Sequence, residues 1–221
     1  MNFLIKNKNF IITLIFSFGF SDIIHVPEEY STIQEAIDAS VDGDTVLVAN
    51  GEYVENLVIN KSIVLASHAI NDDLEDWLLN ENNEWFVVNS NIQNTRLIGS
   101  NPDDPDYGSV ILITPNSNEC ISPEIVGFTI EGGSGTNVLQ INESGETVLV
   151  RLGGGILADV SDPYIHHNQF TDNGSDNLFA GGGSQLTSNE EDWSFNARFP
   201  NYSPRCDIDE FQISNNFYDN N

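Results

Sequence analysis

Positive charge is scarce in this sequence. Its 221 residues hold seven Lys and Arg against 34 Asp and Glu, for a formal net charge of −27 at pH 7. Lys6 and Lys8 lie in the first 21 residues, where there is no carboxylate. Beyond them only Lys61, Arg96, Arg151, Arg198 and Arg205 face all 34 acids. Such a surface repels the phosphates of nucleic acid and of anionic lipid, which argues against either as a partner. It would also repel an anionic polysaccharide unless a divalent cation bridged the two. The same charge serves simple solubility in a salty or calcium-rich medium. Cysteine is nearly absent too. Cys120 and Cys206 suit an export route but exclude a dense disulfide framework. After residue 21 no run is apolar enough to cross a bilayer. Long helical periods are missing between the short apolar runs, which excludes a doubly wound α/β sheet.

The first 21 residues differ in kind from the rest. Lys6 and Lys8 precede an apolar run from Phe10 to Phe20, and small residues sit at Gly19 and Ser21. This has the form of a secretory signal cut after about Ser21. Residues 22–221 are then one domain, exported to the medium or the cell surface.

STIQEAIDAS, residues 31–40, predicts a helix. Ser31 or Thr32 can cap it, Glu35 lies three residues after Thr32, and Ile33, Ala36 and Ile37 share one face. Afterwards the period becomes two. Thr45–Val48, Leu57–Ile59, Ser62–Leu65, Thr95–Ile98 and Val110–Ile113 read as short strands separated by Gly, Asn and Asp turns. Residues 70–94 break the rhythm as an inserted excursion, with one helical turn expected around Leu74 to Leu79. Further interruptions are expected at 134–150 and 188–207.

The second half repeats itself. Ile165 is followed by Asn168, Phe170 and Asn173, and Ile213 by Asn216, Tyr218 and Asn221 at the same offsets. Ile125, Phe128, Ile130 and Gly133 form an earlier cousin, and GGG occurs at 153–155 and again at 181–183. A fixed motif of this kind predicts a solenoid.

Residues 26–67, together with IVGFTIEGG and GGGILADVSDPYIHHNQFTDN, resemble the right-handed parallel β-helix proteins of the pectin-lyase-like superfamily. The resemblance implies an all-β solenoid with a short N-terminal capping helix. It leaves activity open, because this fold carries lyases, esterases, hydrolases, adhesins and tail proteins. The chain stops at NNFYDNN, inside a repeat unit. This reads as the N-terminal part of a longer protein, or as an end that a partner caps. On such a solenoid Cys120 and Cys206 fall about two coils apart, ~9.6 Å by stacking. A disulfide needs Cα atoms within ~7 Å, so the pair is bonded only if Cys206 leaves the coil.

Four groups of residues compete as a site. His166 and His167 are adjacent, so on a strand they point to opposite faces and do not easily share an ion. His166 is then an outward imidazole, with His167 at the bend. Asp103, Asp104 and Asp106 in NPDDPDYG offer hard oxygen ligands suited to Ca²⁺, or simply a solvated acidic turn. Arg198-Phe199-Pro200 matches the start of the Arg-x-Pro-x-x-Arg stretch of pectate lyases, with Arg205 two positions late. That resemblance would make Arg198 or Arg205 the base of a calcium-dependent polysaccharide lyase, with Asp172 or Asp176 on the metal, but the family's preceding acidic motif is missing. Trp77, Trp85, Phe86, Trp193 and Tyr202 lie in the excursions, where they can stack on sugars or pin their own loops. The expectation is an exported binding or surface-structural module. Trp85, Phe86, Trp193 and Tyr202 would face extracellular polysaccharide, and the lyase is the alternative.

Overall fold

A computed structural model describes residues 21–99, 102–116, 119–141, 144–159, 161–174, 182–187, 193–194, 206 and 212–219. It begins with β1 (Ile23–Val26) and helix α1 (Ile33–Ala39), followed by coils of short strands. The first coil is β2 (Thr45–Val48), β3 (Gly51–Tyr53) and β4 (Leu57–Ile59). The second starts with β5 (Val64–Ser67) and leaves the solenoid through a 3-10 turn, His68–Asn71. A hairpin of β6 (Leu78–Glu81) and β7 (Glu84–Val87) and a short helix α2 (Ser90–Asn94) follow. The coil then resumes with β8 (Thr95–Ile98), β9 (Tyr107–Gly108) and β10 (Ile111–Ile113). The third coil is β11 (Glu124–Val126), β12 (Thr129–Glu131), a hairpin of β13 (Gly135–Ile141) and β14 (Thr147–Leu152), and β15 (Ile156–Asp159). The fourth is β16 (Tyr164–His166), β17 (Gln169–Thr171) and β18 (Ser184–Thr187). After β19 (Trp193–Ser194) come β20 (Gln212–Ser214) and β21 (Phe217–Asp219).

Like strands of successive coils pair in parallel. They form three sheets ordered β1-β2-β5-β11-β16-β20, β3-β8-β12-β17-β21 and β4-β10-β15-β18. The protein is thus an all-β parallel β-helix with a helical cap. The register stacks Val46, Leu65, Ile125, Ile165 and Ile213 in one inward row. Tyr53, Leu97, Ile130, Phe170 and Tyr218 stack in another. From Val46 to Ile165 and from Leu97 to Phe170 these rows belong to one core, with Tyr53 packed against it, while Ile213 and Tyr218 at the last coil are exposed. Each fully buried aliphatic or aromatic side chain contributes ~1.5–3 kcal/mol. The Phe170 and Tyr218 rings stack 4.8 Å apart and 10° from parallel.

The repeated asparagines form a ladder along the axis. The side chain of Asn168 is fully buried, and its Nδ2 donates to the carbonyls of Ile125 and His166 at 2.9 and 2.8 Å. Its Oδ1 accepts from the Phe128 amide one coil back, and its own amide donates to Asn216 Oδ1 one coil on, both at 3.0 Å. Each bend therefore satisfies buried backbone that no strand reaches. The repeated glycines follow from backbone contact. A Cβ on Gly154 would lie 2.5 Å from the Gly182 carbonyl oxygen, and one on Gly155 2.3 Å from that of Gly183.

Helix α1 is short and is held at both ends by the first coil. Thr32 caps it, accepting the Glu35 amide at 3.2 Å. The Glu55 carboxylate accepts the Ile33 and Gln34 amides, both at 3.0 Å. Lys61 Nζ donates to the carbonyls of Ile37, Asp38 and Ser40 at 2.9, 3.1 and 2.8 Å. An anion at the positive end and a cation at the negative end both favour the helix dipole. Gln34 also lies along edge strand β4. Its Nδ-equivalent amide nitrogen, Nε2, donates to the Val58 carbonyl at 3.2 Å, and its Oε1 accepts the Val58 amide at 2.8 Å.

One expectation is corrected here, and one open alternative is decided. The turn around Leu74 to Leu79 is not helical, because Leu78–Glu81 is a strand. Asn82 and Asn83 both adopt positive φ, 55° and 69°, the two-residue turn that closes a hairpin. Cys120 and Cys206 are bonded, with Cα atoms 5.1 Å apart. Closing an 86-residue separation stabilises by ~4.6 kcal/mol in the chain-entropy model.

Candidate functional site

The excursion at 68–94 lies on the outside of the sheet that starts with β1. Leu47, Ala66 and Val126 form an outward apolar row there, with Val64 and Leu74 packed against it. Trp77 is 5% exposed and packs in a second cluster with Ala69, Val87 and Ile92. Its ring meets that of His167 edge-on at 5.5 Å. Trp77 is therefore a pin. Cross-strand partners share a face, so Leu78 and Val87 turn inward while Leu79 and Phe86 turn outward. Trp85 lies on the Val87 face near the hairpin tip and is 56% exposed. Phe86, Leu79 and Val88 are exposed as well. Trp85 and Phe86 are thus both accessible, on opposite faces of the hairpin.

The other aromatics are less informative. Trp193 lies on β19, paired antiparallel with Gln140 of β13, and Tyr202 lies outside the described residues. Arg198, Arg205 and Asp176 also lie outside them. Asp172 is exposed at a bend with φ 50°.

The acidic turn at 102–107 is built from its own carboxylates. Asp104 Oδ1 accepts the Asp106 amide at 3.0 Å, and Asp106 Oδ1 accepts from Asn137 Nδ2 at 2.7 Å. Arg151 donates to the Pro105 carbonyl at 2.6 Å, which ties the turn to β14. Asp103 and Asp104 border a groove of about 350 Å³ that also takes in Glu55, Val58 and Tyr107. Among the described residues no three of His, Cys, Asp and Glu gather as a metal ion would require.

The histidine pair is more engaged than an outward imidazole would be. Ile165 points in and His166 out, as alternation requires, yet His166 is 9% exposed. Tyr164 stacks on it at 4.1 Å, and its Nε2 meets Glu124 Oε1 at 3.0 Å. Its Nδ1 lies 2.8 Å from His167 Nδ1. Because Nε2 donates to the carboxylate, a neutral His166 accepts at Nδ1 and His167 donates. One proton serves the two facing nitrogens, and a second would break the contact. Burial first, then the nearby His166, pushes the His167 imidazole below its ordinary value. The sequence shows the two histidines but not Glu124 or Trp77, which reach them across one coil and from the excursion. His167 itself occupies the left-handed bend taken by Gly127 and Asn215 in neighbouring coils.

No helix among the described residues is long and apolar enough to cross a membrane. No family model matches the chain, and no solved structure matches it. Over 71 residues the chain is 31% identical to a cell surface glycoprotein of Methanothermus fervidus, a match that takes in 28% of this chain and 12% of that protein.

Proposed function

We propose that the chain is an exported surface module that holds its excursions out towards extracellular polysaccharide. Residues 1–21 would be its leader and residues 22–221 a pectin-lyase-like β-helix. The observation that carries this reading is the β6–β7 hairpin. Trp77 fixes it to the solenoid, while Trp85, Phe86, Leu79 and Val88 stay exposed. A loop that needed aromatics only for its own packing would bury all of them; this one buries Trp77 and leaves two. The partial likeness to a cell surface glycoprotein supports the location.

Neutral glycans suit this surface best, since the charge of −27 repels acidic ones unless Ca²⁺ bridges them. The test is a glycan array with Ca²⁺ and with chelator, comparing the wild type with Trp85→Ser and Phe86→Ser. Loss of binding in either variant is expected. Binding that survives in both removes this surface from the proposal.

A further inference from the structure

We propose that Asn60 is an acceptor for an asparagine-linked glycan, and that Asn173 is not, although both begin an Asn-x-Ser tripeptide. The sequence holds four such tripeptides, at Asn60, Asn142, Asn173 and Asn201. Asn142 and Asn201 lie outside the described residues, so the comparison rests on the other two.

Asn60 opens the turn between β4 and β5. Ile59 is fully buried, so by alternation Asn60 points outward, on the side where Val58 is exposed. Its side-chain amide makes no hydrogen bond among the described residues. Asn60 is half-buried, and a sugar on that nitrogen would replace no hydrogen bond. Asn173 is in the opposite situation. It is 2% exposed, its Nδ2 donates to the Ile130 carbonyl at 2.8 Å, and its Oδ1 accepts the Gly133 amide at 3.1 Å. A glycan there would replace the donor and force a sugar into the stack between coils. The same tripeptide is thus a surface turn once and a ladder rung once.

In the transfer, the Asn60 Nδ2 forms a bond to the anomeric carbon of a lipid-diphosphate-linked oligosaccharide. The bond from that carbon to the phosphate breaks, the lipid diphosphate leaves with the electron pair, and one amide proton is lost to a base. In the folded protein the Ser62 Oγ accepts the Ser122 amide at 3.0 Å, so the hydroxyl of the tripeptide is freest before the third coil docks.

This inference rests on the proposed export, and the test separates the two. The full chain is expressed in a secretory host that carries out asparagine glycosylation, once with its own first 21 residues and once behind the host's leader. Asn142→Gln and Asn201→Gln are present throughout. Failure to leave the cell with its own residues alone counts against export. Among exported molecules, a glycopeptide containing Asn60 is expected, with a gel shift that a glycan-releasing amidase removes and Asn60→Gln abolishes. Asn60→Gln should melt at the temperature of the deglycosylated parent. Exported, folded protein with a bare Asn60, or with a glycan on Asn173, overturns the proposal.

Discussion

The excursion at 68–94 and the β13–β14 hairpin each lay apolar side chains over an outward row of the solenoid. The first covers Leu47, Ala66 and Val126. The second covers Leu112 and Leu157 with Val138 and Leu152, all within 3% exposed. Their outer surfaces differ. The first leaves Leu79, Phe86 and Val88 exposed on one face and Trp85 on the other, whereas β14 exposes Leu149. Both are anchored by burial, and among the described residues the first presents the more apolar outer surface. An excursion can therefore be anchored by one aromatic and still leave others exposed.

Removing the anchors should break this comparison most strongly. Trp77→Ala is expected to cost ~3–5 kcal/mol and Leu152→Ala ~2–5 kcal/mol, read from denaturant melts. Hydrogen exchange should localise the damage. In Trp77→Ala the amides of 78–94 should lose protection while those of 135–152 keep it, and Leu152→Ala should do the reverse. Equal loss in both segments from either variant would mean that the excursions are not separate units.

A smaller effect comes from pH. Folding holds His167 below its ordinary value of 6.5, so the unfolded chain binds a proton more readily. Stability from this group is full above pH 6.5 and is lost as pH falls through the lower folded value. The first excursion should therefore loosen on acidification, through Trp77, while the second does not. His167→Asn keeps a residue suited to the left-handed bend, as Asn215 shows, and should flatten the change in Tm between pH 7 and pH 5. An unchanged slope would separate the pair from stability.

The smallest expected effect is the most diagnostic of display. Trp85→Ser and Phe86→Ser should each change stability by no more than ~0.5 kcal/mol, the usual range for exposed sites. A cost near that of Trp77→Ala would make them anchors.

The sequence made the solenoid legible because its rows repeat. Ile165, Asn168 and Phe170 recur as Ile213, Asn216 and Tyr218, and each pair meets across one coil. Helix α1 could be read from its cap and its face. The β6–β7 hairpin is not legible from spacing alone, because WLLNENNEWFVV fits the apolar spacing of either a helix or a strand. The adjacent Asn82 and Asn83 were the signal that decides it. The Cys120–Cys206 bond depends on where a loop returns, which strand spacing does not reveal. Which aromatic anchors and which is displayed depends on strand parity inside the excursion. The sequence could show that only once the hairpin register was known.

Gln34 has a consequence for assembly. Its amide meets the Val58 carbonyl and amide as a neighbouring peptide unit would. An extended segment from another molecule would find that position on β4 already filled. In the vocabulary of polymers, the helix carries a chain stopper. Strand addition at β4 is blocked, and units of this kind cannot be joined head to tail through that edge.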